Sequence, residues 1–262
     1  MKKLLFLGLS VAAITIGCNN ETKTTSQAGV YKLDKAAMTD GKTETVNLAS
    51  DGNVQYKIYT PEAYFYIGMG KDSSAGFGVG SYTQTGNTIT ESNIYNTASM
   101  DTAWDVKLEI TGSEKGYSQL IPEMKVNGSS YKLTEDYTKV TATGTSPLDG
   151  VWKQTKFVLV TGKDSADKTY NEYKVYSAGH FMWGTRYLSD SAANKFTNLV
   201  GHGTFTLNND ALTEQLDFAS MKGLTGKYDI KVKFNGADEY TQETADTATK
   251  SVGFKTYKRV KK

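Results

Sequence analysis

One fourteen-residue pattern occurs twice in this chain, and the second copy constrains the fold more than any other feature. Residues 201–214 (Gly-His-Gly-Thr-Phe-Thr-Leu-Asn-Asn-Asp-Ala-Leu-Thr-Glu) read as a strand, a tight polar turn and the start of a second strand. Residues 78–91 carry the same pattern 123 positions earlier, without a gap. The two glycines, one strand threonine and the closing Thr-Glu are identical. Ser81 and Thr204, Tyr82 and Phe205, Asn87 and Asp210, and Ile89 and Leu212 are close swaps. A chain built this way holds two copies of one β-rich unit.

More of the unit recurs in the same order. Residues 150–153 repeat 29–32, and 172–176 repeat 55–59. Residues 228–234 repeat 104–110, 240–242 repeat 117–119, and 257–260 repeat 137–140. Tyr, Thr and Val gather in short runs between Gly, Asn and Asp clusters, which favours strands. Residues 104–110 alternate with period two, so Trp104, Val106, Leu108 and Ile110 are expected to face a core. Residues 64–69 are apolar on both faces, as expected of a strand with a core on one side and a neighbour or ligand on the other. Residues 194–199 and 217–224 are places for short helical turns. The small, polar residues 141–149 form the expected linker between a unit at 29–140 and a unit at 150–260. Each unit of about 110 residues solves its edge-strand problem most simply by closing. The expected fold is all-β: two tandem antiparallel up-and-down barrels.

The N-terminus reads as an address. Lys2 and Lys3 precede thirteen mostly apolar residues, 4–16, too few to span a bilayer and suited to a secretion signal. Residues 15–18 (Thr-Ile-Gly-Cys) then resemble the lipobox of bacterial lipoproteins, with Thr15 where Leu is usual. The resemblance implies a signal peptide and lipobox over residues 1–18, cleavage after Gly17 that leaves Cys18 as the first mature residue, and fatty acyl chains such as palmitate on Cys18. Cys18 is the single cysteine, so no disulfide can brace the body. Residues 19–28 are polar and read as a flexible tether. Asn19 in place of aspartate, by resemblance to enterobacterial lipoproteins, favours the outer membrane, on its periplasmic or its exposed face.

Charge excludes one class of partner. The formal net charge of +2 comes from Lys2 and Lys3, so the remaining body is neutral and carries no footprint for nucleic acid.

Gly150-Val151-Trp152, a Gly-x-Trp on the first strand of a meander, is similar to the lipocalin superfamily. With the strand at 174–176 and the block at 203–214, the second unit resembles the lipocalin-like, calycin-type domains of exported Bacteroidetes lipoproteins. That resemblance implies that Arg259, on the last strand, lies over Trp152 and closes the barrel's end. Lys139 over Tyr31 would be the weaker copy.

Candidate chemistry is sparse. His180 and His202 are the two histidines, and strand parity points both outward if Phe181, Trp183 and Phe205 point inward. No ligand spacing surrounds them, so no metal and no cofactor is expected. The thiol is committed to lipid, and no Gly-x-Ser-x-Gly elbow exists. Glu91 and Glu214, the duplicated carboxylates, read as solvated or paired strand residues. Tyr64, Tyr82 and Trp104 in the first unit, with Trp183, Phe205 and Tyr228 in the second, are the candidates for a ligand-facing interior, although small barrels can be filled by side chains alone.

The expected function is that of a monomeric, non-enzymatic, lipid-anchored envelope protein holding a small hydrophobic or amphipathic ligand. A surface module that binds glycan or protein, with filled barrels, is the alternative. An envelope hydrolase would require carboxylates converging in one cleft.

Overall fold

The structure is a computed structural model and describes residues 27–97, 104–126, 128–193, 195–246 and 248–261. The expected signal peptide, Cys18 and most of the tether lie outside the described residues. Two closed antiparallel barrels follow one another along the chain. The first comprises β1 (Gly29–Thr39), β2 (Glu44–Leu48), β3 (Val54–Tyr59), β4 (Ala63–Met69), β5 (Ala75–Thr85), β6 (Thr88–Asn96), β7 (Asp105–Ser113), β8 (Gly116–Val126) and β9 (Ser129–Lys139). The second comprises β10 (Gly150–Thr161), β11 (Asp164–Asp167), β12 (Asn171–Ser177), β13 (His180–Asp190), β14 (Lys195–Asn208), β15 (Ala211–Ala219), β16 (Gly226–Phe234), β17 (Glu239–Asp246) and β18 (Ser251–Arg259).

Eight strands close each barrel, through β1 with β9 and β10 with β18. The short β2 and β11 pair with the far halves of β1 and β10, where β3 and β12 no longer reach. Each copy bulges at the same place on its first strand, between Leu33 and Lys35 and between Gln154 and Lys156. A bulge reverses strand parity beyond it. On β10, Trp152 and Gln154 face inward before the bulge, and Phe157, Leu159 and Thr161 face inward after it.

Three expectations are corrected. Residues 195–199 are the start of β14, paired with β13, and β15 extends through Ala219; the helix among the described residues is a 3-10 turn at Ala49–Asp51. Pairing across the long β13–β14 hairpin satisfies these backbone groups better than an isolated turn would. The 104–110 match is displaced by two residues. Glu91 faces Val106 and Glu214 faces Tyr228, so Tyr228 corresponds to Val106 and not to Trp104. The period of two hid this slip, since either alignment keeps the same face inward. Trp104 therefore precedes β7, only half-buried, and does not join the barrel core as expected.

Both interiors rest on an aromatic ladder at the closed end. Tyr31, Tyr117 and Tyr137 pack edge-on and stacked, with centroids 4.8 and 4.9 Å apart. Trp152, Tyr240 and Tyr257 repeat this at 4.7 and 5.0 Å. Arg259 lies 4.1 Å over Trp152 and donates to the carbonyls of Asp149 and Pro147. Trp152 donates to Leu148, so the linker itself plugs the second barrel. Lys139 stands 5.9 Å over Tyr31.

The outer faces of equivalent strands form a shared seam. Ile58, Phe65, Ile67, Phe77 and Val79 of the first barrel pack with Tyr173, Val175, Met182 and Val200 of the second. Residues 64–69 are apolar on both faces for this reason: Tyr64 enters the barrel and Phe65 enters the seam. The two barrels meet with approximate twofold symmetry. Val30 and Val151, Val140 and Val260, and Tyr56 and Tyr173 are matched pairs in the same cluster. Ala75 accepts from Asn198, its own counterpart in the other copy, near both open ends. An isologous seam of this kind is how duplicated domains dock when each offers the same patch.

Both histidines point out of the barrel, and both are buried in the seam. His202 stacks on Tyr56 at 3.9 Å, with His180 at 5.7 Å. Among the described residues no group of three or more His, Cys, Asp or Glu is placed to hold a metal. Burial, then the His180 ring and the Lys32 ammonium, push the His202 pKa from 6.5 down to about 3. The unfolded chain therefore takes up this proton first. His202 lets the fold keep its full stability above pH 6.5 and costs stability progressively as the pH falls toward 3. His202→Phe, which keeps a flat ring against Tyr56, is expected to flatten the loss of stability between pH 7 and pH 4; urea midpoints across that range check it.

Candidate functional site

The second barrel is hollow toward its open end. A cavity of about 790 Å³ stands above the plugged floor, within the range of small-molecule sites. Its wall includes Phe157 and Leu159 of β10, Trp183, Thr185 and Tyr187 of β13, and Leu216, Tyr228 and Ile230 of β15 and β16. Tyr170 reaches it from the loop before β12, fixed by its backbone N–H donating to Gln154 at 2.8 Å.

The floor is polar and self-neutralised. Lys174 donates to both oxygens of Glu214, at 2.7 and 3.0 Å, and to Gln242 at 3.4 Å. Tyr176 donates to Glu214 and accepts from Gln242 at 3.0 Å. Beside them Lys255 donates to both oxygens of Glu172, at 3.1 and 3.0 Å, and Tyr257 and Thr185 also donate to that carboxylate. Burial opposes the charge on Glu172, but the Lys255 ammonium and the two hydroxyls outweigh it and hold the carboxyl at about 2. A carboxylate held there stays ionised near neutrality and has no proton to give.

The first barrel repeats most of this constellation. Lys57 pairs with Glu91 at 2.6 Å and donates to Gln119 at 3.3 Å, and Tyr59 donates to Glu91. Lys57, Tyr59, Glu91 and Gln119 are thus the counterparts of Lys174, Tyr176, Glu214 and Gln242. The other pair has changed chemistry. Gln55 and Glu135 stand where Glu172 and Lys255 stand, joined at 2.9 Å. Tyr64, Tyr82 and Ile89, the counterparts of Phe181, Phe205 and Leu212, pack with its tyrosines in one buried cluster toward the closed end.

The candidate residues are therefore divided. Trp183 and Tyr228 line the cavity. Phe205 lies below it, edge-on to Tyr176 at 4.8 Å. Tyr64 and Tyr82 pack the closed end of the first barrel, with Tyr82 donating to the Thr60 carbonyl at 2.9 Å. Trp104 lies off the strand end. Sequence reasoning missed Phe157, Tyr170, Tyr187 and the whole polar floor. The bulge at Gln154–Lys156 moved Phe157 to the inner face, and no alternation rule anticipates that. The duplicated closing Thr-Glu did mark Glu91 and Glu214, but their lysine partners lie several strands away.

No protein-family model matches the chain, and no curated protein does. Among solved structures the chain is similar to a protein of unknown function from the DUF3598 family of Nostoc punctiforme, at 11% identity, 89% of this chain, 96% of that one and a TM-score of 0.27. It is similar to a Bacteroides fragilis protein provisionally described as an outer membrane protein, at 13% identity, 89% and 97% coverage and a TM-score of 0.23. Transferrin Binding Protein B from Haemophilus parasuis follows at 9% identity, 91% and 78% coverage and a TM-score of 0.25. Likenesses this loose transfer no function.

Removing one member of a buried pair strands the other charge. Lys174→Met is expected to cost about 3–5 kcal/mol, and Lys174→Met with Glu214→Leu to recover most of it, as read from denaturant unfolding. Glu172 acts in the acid range. Its contribution is present above its ordinary pKa of 4.5 and is lost as the pH falls toward about 2. Glu172→Gln should remove that acid limb from the stability profile while lowering stability at pH 7.

Proposed function

We propose that the protein is a non-enzymatic, monomeric binding protein of the cell envelope, tethered through acylated Cys18, whose second barrel holds a small amphipathic molecule. The observation that carries this reading is the cavity of about 790 Å³, closed by Trp152 and Arg259 below and lined by Phe157, Trp183, Tyr187 and Tyr228. An aromatic chamber above a polar floor suits a molecule that is apolar over most of its surface and polar in part. Glu172 and Glu214 do converge on the cavity, as a hydrolase would require. Each is bound by a lysine and a tyrosine, which supports holding rather than turnover. The first barrel, whose closed end is packed with tyrosines, serves as the scaffold. A surface module with filled barrels would not carry such a chamber in its second copy.

Native mass spectrometry of the mature protein from its own host is expected to show one small molecule per chain. An apolar fluorescent reporter is expected to bind with one-to-one stoichiometry and to accept energy from Trp183. Gly253→Leu, which projects a side chain into the recess beside Phe157, should abolish reporter binding while leaving the circular dichroism intact. A bare protein that also ignores the reporter would refute the reading.

A further inference from the structure

The cavity has two unlike walls, and their placement says more about the ligand than their composition does. In a closed eight-stranded barrel, strands four apart stand opposite one another. The order here puts β17 across from β13 and β18 across from β14. Toward the cavity, β13 and β14 present Phe181, Trp183, Thr185, Tyr187 and Leu199, a wall of rings and aliphatic groups. β17 and β18 present Gln242, Thr244, Asp246, Ser251, Gly253 and Lys255, without one apolar side chain larger than hydrogen.

Those six residues form a ladder from floor to mouth. Gln242 faces Lys255, Thr244 faces Gly253, and Asp246 faces Ser251. Thr249 caps the top, its hydroxyl 2.7 Å from both Asp246 and Ser251. Thr244 has no side-chain hydrogen bond among the described residues. The strip is flanked by Tyr228 and Ile230 on one side and by Phe157 and Leu159 on the other, so it is a polar stripe in an apolar tube. An apolar tail laid along that stripe would bury the unpartnered Thr244 hydroxyl and cover the Asp246–Ser251 end of the ladder without giving either a new partner, which costs free energy.

Resting on the binding function proposed above, we infer that the second barrel is specific for a facially amphipathic molecule: a rigid fused-ring ligand with hydroxyls along one face. Its bare face lies on Trp183 and Tyr187 and its hydroxylated face on the Thr244–Ser251 ladder. Rigidity matters because a flat, preformed ligand matches two opposed walls without losing chain entropy.

The test is displacement of the apolar reporter from the full mature chain, below micelle-forming concentrations. The competitors are cholate, whose hydroxyls lie on one face, lithocholate, the same ring system without that row of hydroxyls, and palmitate. Cholate is expected to displace at least about tenfold more effectively than either of the others, the value of one or two matched buried hydrogen bonds. Thr244→Val with Ser251→Ala is expected to erase that preference while reporter affinity and melting temperature hold. Palmitate or lithocholate competing as well as cholate, or a double variant that leaves the preference intact, would overturn the facial assignment and leave the binding function standing. Failure of the reporter to bind, together with no heat of cholate binding by calorimetry, would remove both.

Discussion

Everything inside these barrels is arranged around a lysine that each copy buries. Lys57 and Lys174 sit where a closed sheet admits little water, and each is met by a glutamate, a glutamine carbonyl and a tyrosine ring. A buried ion pair is poor evidence for stability, since well-packed apolar residues often serve as well. Its use here is specification. The lysine comes from the second long strand of the unit, the glutamate from the fifth and the glutamine from the seventh, so the three meet only if the barrel closes in this register. A strand slipped by one residue would put a bare charge in the core and turn every aromatic outward. In the second copy the polar layer also divides the interior, with the aromatic ladder of the closed end below it and the cavity above.

The second copy keeps that layer but exchanges Gln55 and Glu135 for Glu172 and Lys255, beside the cavity of about 790 Å³. Both exchanges keep the site bridged across the barrel, so the floor holds its shape while its chemistry changes. The outer faces hardly changed. Equivalent valines and tyrosines still make the seam, and at Gly184 the missing side chain is replaced by the ring of Phe77 from the other barrel.

The duplication, the strand content, the turn at Thr85–Asn87 and the double-faced apolar strand were legible in the sequence because each depends on local pattern. Glu91 and Glu214 were visible as repeated residues. Their partners were not, because pairing Lys174 with Glu214 requires the register of the strands between them. Phe157 was hidden by a bulge that inverts parity, and the true mate of Tyr228 was hidden by a period that tolerates slips of two. The histidines show the same limit from the other side. Parity correctly sends them out of the barrel, but only the docking of the second copy turns an outward residue into a buried one.

The seam has a consequence for how the molecule can change. Since the copies grip one another through their exteriors, whatever lies inside the hollow one is insulated from the joint. Its lining can drift toward new cargo without loosening the pair, and its twin acts as ballast for the drift. A scaffold so divided can host a family of tenants by altering one lumen alone.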